Sequence, residues 1–450
     1  MSYISPINTR YKAPVMSKLW SSDSKIIKMR QLWIDLATYQ KWLGVDIITD
    51  EGISEMTQNI ENIDYDKINK YELEFKHDIM AHIYAFSDLC PTGKNMIHLG
   101  ATSNFINDNV DMIIIQKSIH QIIAMMEPLN MVLKQNALFY GKTPTLAYTH
   151  LQPAQLITVG KRFAIWHSDI LMDYKDIIEL YKNLPFRGIK GTVGTEDTLM
   201  KLFDNDVEKC ELLNTSLANK YNFTNKVKIC GQTYSRKYDL LVVQKLSSLC
   251  QSIYKMMNDI RLLSGKKEIY EDFQKKQIGS SAMPYKKNPI TCEKICSLCR
   301  LVINHENNMS QTYMNQWLER SLDDSAIKRV VFPECFMLVE HIINETTKCI
   351  QKLFINTKQI NRNIESHLPN ILSEQIIISG VKMGYNRQVI HEELRVLLLD
   401  DDDNQVNLFN IDKEGFEIVK DIIASSQISG NPMDYIGRCV DQINTFYKRS

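Results

Sequence analysis

Residues 279–289 read Gly-Ser-Ser-Ala-Met-Pro-Tyr-Lys-Lys-Asn-Pro. Gly279, Ser280 and Ser281 give a small-residue backbone with free N–H groups. Lys286, Lys287 and Asn288 add side-chain donors, and Pro284 and Pro289 exclude regular structure. Such chemistry suits an anion. Ile290, Ile295, Leu298 and Leu301 then recur at helical intervals, which predicts that the loop ends at a helix N-terminus, where unpaired N–H groups and the helix dipole favour negative charge. The same residue types also build ordinary solvated loops. Order and spacing, rather than composition, make this segment a candidate active-site loop. Cys292, Cys296 and Cys299 follow at i, i+4 and i+7, on one helix face. A metal site would need that convergence and a fourth ligand. No paired CxxC follows and the next histidine is His305, so the favoured reading is buried thiols acting as small apolar groups.

The elements that must position this loop are helical almost throughout. From Lys237 to Leu263 the apolar residues Leu240, Leu241, Val243, Leu246, Leu249, Ile253, Met256, Met257, Ile260 and Leu263 keep a three-to-four spacing. At 1.5 Å per residue this predicts a helix of roughly 40 Å. Similar patterns run from Asn109 to about Met126, Ile157 to about Tyr181, Ile295 to about Tyr313 and Val331 to about Ile355. Pro128 should kink or divide the first of them. Thr143 to Thr149 is extended at most, and Pro144 argues against a sheet-interior strand. The expected fold is all-α, with three helical domains around a central long-helix bundle. The small-residue stretch Leu99 to Asn104 and the break at Asn356 to Lys358 set the boundaries: residues 1–102, 103–355 and 356–450. Asp400 to Asp403 is a like-charge run; a solvated turn is favoured over a cation site because the aspartates lack glycine and alternating ligand spacing.

Composition bounds the function classes. The chain has 450 residues, 44% apolar and 24% charged, with 53 basic and 53 acidic side chains. No global basic field points to nucleic acid or an anionic membrane, so local cations must meet any anionic substrate. No apolar run approaches the roughly 20 residues of a membrane span, and the N-terminus lacks a basic region followed by an apolar run. Ten scattered cysteines suit a reducing cytosol with free thiols.

The 279–289 loop resembles the signature loop of the fumarase/aspartase superfamily of lyases, Gly-Ser-Ser-x-Met-Pro-x-Lys-x-Asn-Pro, at every fixed position. Further segments resemble the adenylosuccinate lyase family, in its eukaryote-like branch. They are Arg10-Tyr11, Lys76-His77-Asp78, Thr102-Ser103, Tyr148 to Gln155, Arg187 to Thr192, Gly231 to Arg236, and Leu318 to Ser325. The resemblance spans nearly the whole chain. It implies β-elimination of fumarate from two small succinyl-amino nucleotides, adenylosuccinate and succinylaminoimidazole carboxamide ribotide, with no cofactor and no metal. It also implies a cytoplasmic homotetramer whose active sites are shared between subunits, with neither nucleic acid nor membrane as partner.

Residue by residue, Ser280 maps onto the family's catalytic base and His150 onto its general acid, with Glu293 orienting that histidine. Lys286 and Asn288 map onto partners for the substrate carboxylate whose charge grows in the carbanion. Arg10, Tyr11, Arg320, Ser325 and Arg329 map onto residues holding phosphate and succinyl carboxylates. Lys76, His77, Asp78, Thr102, Ser103, Thr149, Gln232 and Ser281 map onto other substrate-binding positions. Lys294 departs from the pattern, because the family usually has an arginine there; lysine keeps the charge but loses the planar fork. Another superfamily lyase, such as argininosuccinate lyase, would share the loop and the histidine without needing phosphate-binding arginines. A catalytically silent protein on the same scaffold is the alternative of a different class.

Overall fold

A computed structural model describes residues 3–399, 408, 411, 414–426 and 428–449; the Asp400–Asp403 run lies outside them. The fold is all-α. Six long helices dominate the described residues: α1 (Ser103–Phe139), α2 (Val159–Asn183), α3 (Lys237–Gly265), α4 (Ile290–Met314), α5 (Asp324–Gln351) and a C-terminal helix, Thr357–Lys382. The N-terminal half of α1 is buried nearly all round, including the polar side chains of Asn104, Asp108, Asn109 and Asp111. In α3, all ten periodic residues except Leu241 are buried. Its 29 residues correspond to about 43 Å.

Two expectations about boundaries need correction. Pro128 does not divide its helix, because α1 continues for 37 residues through it. An interior proline costs about 3 kcal/mol, but Met126, Leu129 and Leu133 around it are fully buried, and each such side chain contributes roughly 1.5–3 kcal/mol. The segment near Thr143 is a strand of a hairpin: β1 (Pro144–Thr149) pairs antiparallel with β2 (Gln152–Thr158). The following helix therefore starts at Val159 rather than Ile157. Pro144 is tolerated because the sheet has only two strands. A second short antiparallel pair joins β3 (Ile269–Tyr270) to β4 (Phe354–Ile355), and Pro185–Phe186 pairs in parallel with Asn225–Lys226.

The chain forms two compact units. One comprises Met1–Glu127, Met172–Tyr254 and Ile295–Glu345; the other comprises Pro128–Leu171, Lys255–Lys294 and Thr346–Ser450. Asn356 caps the Thr357–Lys382 helix, its side chain accepting from the Gln359 N–H. The C-terminal helices then bury Leu372, Ile376, Ile390, Leu394, Val419 and Ile422 together.

Candidate active site

The signature loop folds on itself. Ser280 Oγ accepts hydrogen bonds from the backbone N–H groups of Ala282 at 3.3 Å and Met283 at 3.0 Å. Both donors stabilise an alkoxide more than a hydroxyl. Asn288 Nδ2 donates to the Gly279 carbonyl at 2.9 Å and closes the loop. A Cβ on Gly279 would stand 1.9 Å from the Lys286 carbonyl oxygen, so this close approach requires glycine. Ser280 is half-buried, whereas Ser281 and Lys286 are exposed.

The loop does lead into a helix, but that helix end is not open to an anion. The Glu271 carboxylate accepts from the N–H groups of Thr291 at 3.0 Å and Cys292 at 2.6 Å. The free N–H groups of the first turn are thus already satisfied, and the local donors to Ser280 are those of its own loop. Glu271 also lies with the thiols of Cys292 and Cys349 in a group whose ligand atoms are within 4.8 Å of one another. With both carboxylate oxygens committed to the helix, this is a cap resting on a packed core. Cys292, Cys296 and Cys299 are all buried on the inner face of α4, and the Cys292 and Cys349 sulfurs are 4.0 Å apart. Exposed Glu293 and half-buried Lys294 follow in the same first turn.

His150 sits at the tip of the β1–β2 hairpin. Thr149 pairs with Gln152, leaving His150 and Leu151 as a two-residue turn with φ of 54° and 61°. Positive φ at both positions is the type I′ pattern, normally filled by Asn-Gly. A non-glycine residue held there costs about 1–3 kcal/mol, and such strain concentrates at functional sites. The turn leaves Thr149 and His150 exposed. Among the described residues, His150 and Glu293 form no hydrogen bond or ion pair with each other.

Arg10, Tyr11, Lys76, His77, Asp78, Thr102, Ser103, Gln232, Arg320, Ser325 and Arg329 belong to the other unit. Arg320, Ser325 and Arg329 line one cleft with Lys25, Asn107, Asp108, Asp111 and Lys328. Asp78 and Arg329 line a second cleft, which also contains Lys25 and Asn107. The structure orients these arginines. Arg320 pairs with Asp324 at 2.7 Å, and Arg329 pairs with Asp78. Asp324 in turn pairs with buried Arg236 at 2.5 Å, which also holds Asp108 at 2.9 Å, while Lys328 holds Asp111 at 3.1 Å. Burial alone would raise the Asp111 pKa, but Lys25 and Lys328 overcome it and hold it at about 2. For Arg236 burial likewise opposes the charge, and the surrounding carboxylates push the net shift upward.

The remaining binding candidates are spread over local structural roles. His77 caps the Asp78–Ser87 helix, its Nδ1 accepting from the Met80 N–H at 3.3 Å. Lys76 has a left-handed backbone with φ of 53°. The Thr102 hydroxyl is buried without a hydrogen-bond partner, and Ser103 begins α1. The Gln232 N–H donates to the Glu319 carbonyl at 3.0 Å. Arg10 closes the short Pro6–Thr9 helix, and the Tyr11 ring meets His341 edge-on at 5.5 Å. Sequence reasoning missed Lys25, Asp108, Asp324 and Lys328 beneath the arginines. Asp324, four residues after Arg320, carried the available signal: an i,i+4 ion pair at a helix start.

Comparison with known proteins identifies the family and the fold. Residues 40–304 match the family described as lyase. The chain is 39% identical to adenylosuccinate lyase of Schizosaccharomyces pombe, covering 88% of this chain and 83% of that protein. It is 36% identical to adenylosuccinate lyase of Saccharomyces cerevisiae, over 100% of this chain and 94% of that one. The backbone is similar to that of fumarate lyase from Mesorhizobium sp. BNC1, with a TM-score of 0.81, 19% identity and coverage of 98% and 99%. A 3-carboxy-cis,cis-muconate lactonizing enzyme from Pseudomonas putida gives a TM-score of 0.78 at 19% identity, covering 98% of each chain. Motifs, fold and relatives converge: the chain belongs to the adenylosuccinate lyase family.

Proposed function

We propose that this protein eliminates fumarate from adenylosuccinate, giving AMP, and from succinylaminoimidazole carboxamide ribotide, giving the corresponding carboxamide. The proton removed lies on carbon beside a carboxylate and is very weakly acidic. Elimination therefore needs a base, stabilisation of the extra negative charge, and an acid for the departing nitrogen. Ser280 takes the proton, and the electron pair left on carbon is delocalised into the neighbouring carboxylate. Lys286 supplies positive charge there. The pair then forms the fumarate double bond as the carbon–nitrogen bond breaks, and His150 delivers a proton to that nitrogen. Glu293 favours the charged imidazole.

The observation that carries this reading is the pair of N–H donors on Ser280 Oγ. A serine hydroxyl is otherwise a poor base, and loop closure that expels water would strengthen both bonds. Asn288, engaged with Gly279, keeps the loop in this shape. Paired Arg320 and Arg329 suit a substrate with a phosphate and two carboxylates, because guanidinium forks bind oxyanions bidentately. Argininosuccinate lyase would not need phosphate-binding arginines.

The working assembly is a cytoplasmic homotetramer, in which the His150 region, the signature loop and the His77 region of one site come from three subunits. Among the described residues no helix is long and apolar enough to cross a membrane. Purified protein offered adenylosuccinate, argininosuccinate, or fumarate with ammonia tests the reaction by ultraviolet absorbance. Turnover of adenylosuccinate alone is expected; turnover of either alternative without it would overturn the assignment.

A further inference from the structure

Glu268 is a carboxylate with 0% exposure, lying just before β3. Burying a carboxylate is costly unless strong donors surround it. Its donors come largely from the strand that presents His150. The Tyr148 hydroxyl donates to Glu268 Oε1 at 2.5 Å, and the Thr145 hydroxyl reaches Oε2 at 3.5 Å. Asn363 Nδ2 adds a bond to Oε1 at 2.9 Å. Burial and the adjacent carboxylate push the Tyr148 phenol well up, so it remains a donor. Arg162 Nη2 binds the Leu146 carbonyl at 2.7 Å, securing the strand between those two side chains.

The pairing register of β1 and β2 shifts between Leu146 and Tyr148, directly beside this grip. Beyond Tyr148 come only Thr149 and the two positive-φ residues His150 and Leu151. A turn without the usual asparagine or glycine has little intrinsic preference for this shape. Its position must be imposed from the strand. Glu268 belongs to the same short segment as Glu271, which caps α4 immediately after the signature loop. One segment therefore fixes both the hairpin carrying the acid and the helix that follows the base.

We propose that Glu268 is a positioning residue for His150: through Tyr148 and Thr145 it holds β1 so that the strained turn places the imidazole for proton delivery. The inference rests on the reading of His150 as general acid. Glu268→Gln removes the charge and leaves the side-chain shape. It should lower kcat for adenylosuccinate roughly 10- to 100-fold, as about 1 Å of misplacement can do, with KM changed less than about twofold. Tyr148→Phe should reproduce a smaller loss, and keeps the test available if Glu268→Gln does not fold.

The deciding measurement is a double-mutant cycle. In a His150→Ala background, whose residual rate is followed at high enzyme concentration, Glu268→Gln or Tyr148→Phe should cause no further loss of kcat. Equal fractional losses in both backgrounds would make Glu268 a structural residue only and overturn the proposal. Unimpaired turnover by His150→Ala would overturn the general-acid reading, and the positioning role with it.

Discussion

Ser280 and Lys294 are where single atoms decide the most. Ser280→Ala leaves the two N–H donors without their acceptor and removes the proposed base, while the candidate binding arginines stay in place. Its kcat should fall by at least the 10² to 10⁴ typical of losing a general base, with circular dichroism and substrate binding retained. Near-normal turnover by the folded variant would mean that another group takes the proton. Lys294 offers a point charge where the sequence resemblance leads one to expect an arginine fork. If it contacts substrate, Lys294→Arg should lower KM or leave it unchanged, and Lys294→Ala should raise it severalfold. Identical steady-state kinetics in the alanine variant would remove this residue from the site.

At the scale of elements, the signature loop is a closed structure whose geometry depends on Gly279. Gly279→Ala would drive a Cβ against the Lys286 carbonyl, open the Ser280 turn, and lower kcat by about 10²-fold or more through misplacement. The melting temperature should scarcely move, because the loop is exposed. Unchanged kcat would show that the observed turn is not the working one. The long helices were legible because their apolar residues recur every three to four positions, and α3 was predicted to within two residues of its end. The hairpin was not, because His150 and Leu151 carry none of the Asn-Gly signal that normally marks such a turn. The capping of α4 was also invisible: Glu271 is 20 residues from the N–H of Thr291, and a chemically distinctive loop separates them. That Pro128 leaves α1 undivided was illegible for a different reason, since the burial that carries the helix past it is tertiary.

For the whole molecule, the candidate base and acid belong to one compact unit and most phosphate- and carboxylate-binding candidates to the other. Stability should respond to acid in both. Burial holds His98 and His167 at a pKa of about 4, below the ordinary 6.5. His98 Nδ1 accepts from Trp33 Nε1 at 3.0 Å, which protonation of that nitrogen would break. Below pH 6.5 the unfolded chain binds protons that the folded one refuses, so stability is lost as pH falls from 6.5 to 4. The slope is up to roughly 1.4 kcal/mol per pH unit for each histidine. Urea melts across that window should show the loss, and His98→Gln with His167→Gln should remove most of it; equal slopes in the two proteins would contradict this account. The central claim, that Ser280 and His150 form one base–acid pair contributed by different subunits, is tested most directly by complementation. His150→Ala and Ser280→Ala, each strongly impaired alone, are co-refolded in equal amounts and assayed with adenylosuccinate. Random assortment should leave roughly one site in four with both residues intact and restore about a quarter of the wild-type rate. No recovery in verified mixed tetramers would contradict the shared site and place both groups on one chain.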